Sequence, residues 1–291
     1  MGERIVFLNG LFMAQSSATV SVLDRGFCYG DGLFETMRCY GNRVFCLDEH
    51  LERLYQSLDL IYLDVPMTRE EMRSALYETI KRNQVPDSMV RLTISRGEQS
   101  TGFHIDPETS PTFVIVVREL EPLPAEWYEK GIDISLFPET ANRIGGLARQ
   151  IKSCNFLTYI IVREMAHSKK SVEGILLDDN NRVTEGTTSN VFMVKDGVLK
   201  TPDLNPHILP GITRQVVLKV AEKNGIPVSL NTIHAEDIYH ADEVFVTNSR
   251  IEVMPVRNAD GKTIGSGRPG EVTRLLHAEF LKSVEGFFQK C

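Results

Sequence analysis

The chain has 291 residues, 42% hydrophobic and 24% charged, with 32 basic against 39 acidic side chains and a net charge of −7. That length suits two domains with buried cores, and the composition excludes wholesale disorder and a concentrated basic surface for nucleic acid. The longest apolar runs, such as Phe113 to Val117, fall far short of the roughly 18 residues that a membrane span needs.

In chain order, Ile5 to Leu8, Asn9-Gly10 and Leu11 to Met13 predict a hairpin, because Asn-Gly between apolar runs suits a tight turn. Leu33 to Tyr40, Gly41-Asn42 and Arg43 to Leu47 predict a second one. Asp48 then reads as the cap of a helix carrying His50, Leu51, Arg53, Leu54 and Leu58, and Thr68 as the cap of another with Met72, Leu76 and Ile80 on one face. Met89 to Ser95 and Thr112 to Val117 read as strands. Pro122 and Pro124 stiffen the stretch that follows, so residues 119–125 are expected to link a domain of residues 1–118 to one of 126–291.

Beyond the link, Ile132 to Phe137 predicts a strand and Asn155 to His167 a helix. Hairpins are expected at 174–184 and 191–200, a helix from near Thr213 to Asn224-Gly225, a strand at 244–247 and a helix over 270–288. Hairpins, helices and strands in this order describe an α+β protein rather than a regular βαβ series. The five cysteines (Cys28, Cys39, Cys46, Cys154, Cys291) show no paired spacing, which reads as reduced thiols of a cytoplasmic protein. The amino-terminal residues carry no secretory pattern, and no metal-ligand spacing is present, so neither a leader nor a metal site is expected.

Four segments carry chemistry. Lys152 stands between an apolar strand and an apolar helix; it reads either as a surface lysine or as an amine whose proton is loosened by burial or nearby cations. Glu185 opens the run Glu185-Gly186-Thr187-Thr188-Ser189-Asn190, either a solvated strand end or an acid for a ring nitrogen. Leu209-Pro210-Gly211-Ile212-Thr213-Arg214 puts glycine before a helix start, whose unpaired N–H groups suit a phosphate. Val246-Thr247-Asn248-Ser249-Arg250 offers further small donors at a strand end. Arg53, three residues after His50, either reaches an anion or pairs with Glu49 or Glu52.

Taken together, these segments resemble the class IV, fold-type IV enzymes that use pyridoxal 5'-phosphate (PLP): D-amino-acid aminotransferases, branched-chain aminotransferases and aminodeoxychorismate lyases. The resemblance also covers Leu23-Asp24-Arg25-Gly26, Tyr29 to Thr36, His50 to Leu54 and Glu252 to Val256, nearly the whole chain. It implies a small N-terminal α/β sandwich and a larger C-terminal pseudo-barrel with PLP in the cleft, and a homodimer. It assigns Lys152 to the Schiff base, Glu185 to the ring nitrogen, and Arg53, Gly211, Ile212, Thr213, Thr247 and Asn248 to the phosphate, with Ser189 and Asn190 beside the cofactor. The small-molecule partners it implies are an amino acid and a 2-oxo acid, D-amino acids first, with (R)-primary amines behind them. Branched-chain L-amino acids and the lyase reaction are the alternatives.

Two positions depart from the D-amino-acid pattern. Those enzymes trap the substrate carboxylate with a tyrosine where this chain has Phe34, and with an arginine and a histidine in the loop after Arg96-Gly97. That loop here keeps a histidine, His104, and no arginine. A carboxylate still needs a charged donor, so Arg25, Arg143, Arg149 and Arg250 stand as candidates beside Phe34 and His104.

Overall fold

The computed structural model describes residues 3–99, 102–138, 151–204 and 208–289. Arg143 and Arg149, two of the expected carboxylate donors, lie outside the described residues. The described residues form two compact units, those of Met1–Glu121 with Ile151–Asn155, and those of Pro122–Gln150 with Phe156–Cys291.

The first unit is built on six strands, β1 (Ile5–Leu8), β2 (Leu11–Ala14), β3 (Gly32–Tyr40), β4 (Arg43–Val44), β5 (Ser88–Ser95) and β6 (Thr112–Glu119). They form one sheet in the order β2-β1-β6-β5-β3-β4, antiparallel at every pairing. Asn9 and Gly10 both take positive φ (48° and 90°), as an Asn-Gly hairpin turn requires. Alternation along β6 buries Phe113, Ile115 and Val117, so one face of the sheet is apolar. The helices α2 (Leu47–Leu60) and α3 (Arg69–Asn83) cover that face with Leu51, Leu54, Leu58, Met72, Leu76 and Ile80. Each such side chain contributes about 1.5–3 kcal/mol on burial.

Thr68 caps α3 with the reciprocal Glu71 contact of a capping box. Asp48, by contrast, is not the cap of α2. The cap is two residues earlier, at Cys46 in the left-handed region, and Asp48 and Glu49 place negative charge in the first turn, which the helix dipole favours. A short helix α1 (Arg25–Tyr29), capped by Asp24 through the Gly26 N–H, was not expected. The second hairpin is also shorter than its sequence suggests, since β4 has two residues.

Residues 151–155 pack with this unit rather than beyond the link. Phe34 N–H donates to the Lys152 carbonyl and Cys154 N–H to that of Gly32, both at 2.8 Å. Ile151 joins the apolar core. Backbone pairing to β3 thus fixes Lys152, independently of where proline stiffens the chain.

The second unit carries β7 (Ile132–Phe137), β8 (Glu173–Leu177), β9 (Val183–Gly186), β10 (Asn190–Lys195), β11 (Val198–Thr201), β12 (Val228–Leu230), β13 (Glu243–Asn248), β14 (Glu252–Ala259) and β15 (Lys262–Thr263). They form one mixed sheet in the order β12-β11-β10-β13-β14-β7-β8-β9, with β15 on β14. The pairs β14–β7, β7–β8 and β11–β12 are parallel. Because β9 also approaches β10, the sheet curls into a half-barrel. Ile134, Ile175, Val191, Val246 and Met254 share its core, and the cross-strand partners Phe192 and Phe245 stack at 4.8 Å. Its helices are α4 (Ala125–Lys130), α5 (Leu157–Ser168), α6 (Ile212–Lys223), α7 (Ala235–Tyr239) and α8 (Glu271–Gln289). The result is the α+β architecture expected from the order of elements. Among the described residues, no helix is long and apolar enough to cross a membrane.

Candidate active site

In the first unit, β3 sends alternate side chains to opposite faces. Glu35 turns toward α2, where His50 and Arg53 stand on its buried face. Arg53 Nε and Nη2 donate to the two Glu35 oxygens at 2.8 and 2.6 Å, and His50 Nδ1 lies 2.7 Å from Oε2. Arg53 therefore pairs with Glu35, not with Glu49 or Glu52. The reason is burial: a guanidinium on the covered face of α2 needs a partner inside the fold. Burial alone would raise the Glu35 carboxyl, but the Arg53 charge and the His50 contact outweigh it and hold it down at about 2. Burial pushes His50 below its ordinary range, with the Arg53 and Lys152 charges adding to the effect against the pull of Glu35.

Phe34 faces the other way. The Lys152 Nζ lies 4.7 Å from the centroid of its ring, and the Arg91 guanidinium carbon 3.7 Å from the same centroid. The strand register makes this geometry: Phe34 sits opposite Thr93, so Arg91 is its diagonal neighbour on that face. Arg91 was not among the expected site residues. Its position across the ladder from Phe34 was the signal, and that register is not written in any one segment.

The other expected first-unit residues are placed differently. Arg25 is buried, its Nε on Asp31 at 2.8 Å and its Nη1 on Gln99 and the Gly102 carbonyl. Arg96 grips the same Asp31 and the Ile61 and Tyr62 carbonyls at the end of α2. Burial pushes the Asp31 carboxyl up, yet the two arginines prevail and hold it below the usual carboxylate range. His104 is exposed on the loop, its carbonyl accepting from Gln99.

In the second unit, Glu185 lies on β9 and is only 6% exposed. Its Oε1 accepts from the Tyr159 hydroxyl of α5 and its Oε2 from the Leu209 N–H, both at 2.9 Å. Glu173, on β8, organises the turn after Glu185. It accepts from the Thr187 N–H and hydroxyl, the Thr188 and Ser189 hydroxyls, and Arg163 Nη1. Ser189 thus faces Glu173. Asn190 ties β10 to the segment before α6 by donating to the Leu209 carbonyl at 3.0 Å.

The helix α6 begins at Ile212, with Gly211 and not Thr213 at the cap, and no side chain caps it. A Cβ on Gly211 would stand 1.9 Å from Asn190 Oδ1, so any larger residue here would displace the Asn190 amide. Thr247 pairs with Asn190 across the sheet, and its Oγ1 is buried with no hydrogen-bond partner among the described residues. Asn248 is occupied at both ends: Nδ2 donates to the Thr188 carbonyl, and Oδ1 accepts from the N–H groups of Arg250 and Ile251. Arg250 lies exposed in that turn.

These features fit a phosphorylated ring. An uncapped helix start concentrates N–H groups and about half a positive charge. The orphaned Thr247 hydroxyl offers a further donor, and Glu185 offers a buried acceptor for an N–H. Among the described residues, no group of three or more His, Cys, Asp or Glu side chains is arranged to hold a metal.

Residues 32–259 match the amino-transferase class IV family. The chain is 39% identical over 277 residues, 94% of each chain, to a protein of Methanocaldococcus jannaschii provisionally named as a branched-chain-amino-acid aminotransferase. It is 36% identical over 282 residues, 96% of each chain, to a D-alanine aminotransferase of Listeria monocytogenes. Among solved structures it is similar to the Escherichia coli branched-chain amino acid aminotransferase, with a TM-score of 0.91 and 32% identity over 97% of this chain and 94% of that one. A T.th. branched-chain amino acid aminotransferase, solved with pyridoxamine 5'-phosphate, gives 0.90 and 29% over 98% and 95%. A 4-amino-4-deoxychorismate lyase from Pseudomonas aeruginosa gives 0.82 and 28% over 95% and 98%.

The chain belongs to the class IV aminotransferases, with the fold of the fold-type IV enzymes. It is a PLP-dependent transaminase, whose substrates are amino acids and oxo acids.

Proposed function

We propose that this transaminase acts on D-amino acids, with a 2-oxo acid as acceptor, and that Lys152 is its reactive amine and Glu185 the partner of the cofactor ring nitrogen. When bound, PLP supplies an electron sink for the charge left at the substrate Cα. Lys152 moves the proton at that carbon, and its fixed backbone replaces a bimolecular transfer with a positioned one. Glu185 accepts from the ring N–H. The first turn of α6 and the Thr247 hydroxyl hold the phosphate, with Arg53 contributing its guanidinium.

One observation carries the choice of an amino acid over a simple amine: Lys152 and Arg91 lean on the same phenyl ring. A guanidinium packed on the ring that the lysine also touches is a candidate bidentate receptor for the carboxylate of a substrate whose amino carbon meets that lysine. Phe34 lacks the hydroxyl of the D-amino-acid pattern, and Arg91 supplies a charged donor instead. The preference for the D hand is supported by the likeness to the D-alanine aminotransferase and by the residues 185–190.

The names of the M. jannaschii and E. coli relatives favour a second reading, branched-chain L-amino acids. D-Alanine, L-leucine and an (R)-primary amine, each assayed with 2-oxoglutarate, separate the two. D-Alanine is expected to be the fastest donor, and the amine, which has no carboxylate, slower. Turnover confined to L-leucine would replace the first reading by the second. Pyruvate released from aminodeoxychorismate would point to the lyase.

A further inference from the structure

We propose that Tyr159 is a positioning residue for this reaction: its hydroxyl holds the Glu185 carboxylate in the orientation and the ionised form that the cofactor ring requires. The inference rests on the reading of Glu185 as the ring-nitrogen partner and extends it to a residue outside the segments that carry the family resemblance.

A glutamate at a strand end is loosely defined at its last torsion, whose preferences are broad. Here two donors from two elements fix it. Tyr159 on α5 takes Oε1 and the Leu209 N–H, just ahead of α6, takes Oε2, each at 2.9 Å. One donor alone would leave the plane of the carboxylate free to turn about the remaining bond. Two donors on different oxygens set it. Both are N–H or O–H donors, so the arrangement serves an ionised, acceptor-only carboxylate. A carboxylate kept in that form leaves the shared proton on the ring nitrogen.

Tyr159 is itself held in place. Its ring packs on Phe156 with centroids 4.9 Å apart. One turn further along the same face of α5, Arg163 is anchored on Glu173 and on the Thr187 and Thr188 hydroxyls. The register of α5 is therefore pinned against the strand end that carries Glu185. The Leu209 donor is a peptide group that no substitution can tune, whereas the phenol is a side chain, so Tyr159 is the variable half of the clamp.

The test uses holoenzymes of Tyr159→Phe, Glu185→Gln and the double variant. Phenylalanine keeps the contact with Phe156 and removes only the hydroxyl. Three quantities are read: the rate of cofactor loss on dialysis, the pH titration of the bound cofactor's absorbance, and the split between kcat and KM. A hydrogen bond to a charged group of ordinary strength predicts that Tyr159→Phe loses cofactor about tenfold faster and lowers kcat about tenfold. KM for the amino acid stays within about twofold, and the absorbance titration shifts, since the hydroxyl acts on the ring partner and not on the substrate. In the Glu185→Gln background the same change adds nothing, because the interaction is already gone.

Equal effects of Tyr159→Phe in both backgrounds would overturn the proposal, since the hydroxyl would then act elsewhere. So would an absent effect in the wild-type background. If Glu185→Gln alone changes neither cofactor loss nor the titration, the reading of Glu185 fails first and takes this proposal with it, an outcome distinct from either of the others.

Discussion

The two units handle buried polarity in different ways. In the first, charges come as matched sets: Arg25 and Arg96 on Asp31, and Arg53 with His50 on Glu35. In the second, Glu185 accepts from a phenol and a peptide N–H, and the helix start beside Asn190 brings backbone N–H groups near the Thr247 hydroxyl. Among the described residues, the buried carboxylates there that pair with an arginine stand at turns: Glu173 behind the one it shapes after β9, and Asp178, with Arg182, between β8 and β9. Ion pairs that neutralise each other make a rigid frame and leave little field for a ligand. Neutral donors aimed one way make a receptor for an anion. The contrast assigns chiefly scaffold work to the first set and binding work to the second, with Lys152, Arg91 and the Glu35-held Arg53 as the cations that the frame presents.

The largest expected effect breaks the frame's chemistry while sparing its structure. Lys152→Ala should lower amino-group transfer by about four orders of magnitude or more, because the amine supplies both covalent attachment and proton transfer. Its melting temperature should stay within a few degrees, since the Lys152 contact to β3 is made by its backbone carbonyl. Retained turnover would show that another group does the work.

Glu35→Gln tests the frame itself. Removing one partner leaves the Arg53 charge buried without its bidentate acceptor, so about 3–5 kcal/mol of stability should be lost, read by denaturant titration. A loss below about 1 kcal/mol would mean that the set is not a scaffold.

Gly211→Ala sharpens the other side. The new methyl meets Asn190 Oδ1, so the amide that ties β10 to the Leu209 carbonyl ahead of α6 must shift. Phosphate-bearing cofactor should bind about tenfold more weakly, which is about 1.4 kcal/mol, with a smaller change in melting temperature. Unchanged affinity would place the phosphate elsewhere.

The smallest effect is on pH. His50 resists protonation in the fold, whereas in the unfolded chain it titrates near its ordinary value of about 6.5. The unfolded chain then binds the extra proton first, so stability falls as pH drops below about 6.5. Glu35, held at about 2 against an ordinary value of 4.5, adds its full share above that value and loses it between the two. Melting temperature should thus decline from pH 7 to 5 and faster below 4.5. His50→Asn should flatten the upper part of the curve, and an unaltered slope would assign it to other groups.

What the sequence makes legible follows from the range of each interaction. The Asn9-Gly10 turn and the Thr68 cap are local, and both are present where their residues predict them. So is the glycine before α6, although the helix begins one residue before Thr213. The partners of Arg53 and Arg25 were not legible, because Glu35 and Asp31 meet them only after strands and helices pack. Arg91 escaped notice for the same reason: it reaches Phe34 across the ladder of β3 and β5. Tyr159 falls in a stretch that reads simply as helix, and nothing in its neighbours names Glu185.

The reactive amine can be identified in one measurement. Holoenzyme reduced with borohydride, digested and mapped by mass spectrometry should carry the phosphopyridoxyl adduct on the peptide that contains Lys152, and the Lys152→Ala variant should carry none. An adduct confined to a different lysine, or a reduced protein with no adduct at all, would contradict the assignment on which the roles of Glu185, Arg91 and Tyr159 depend.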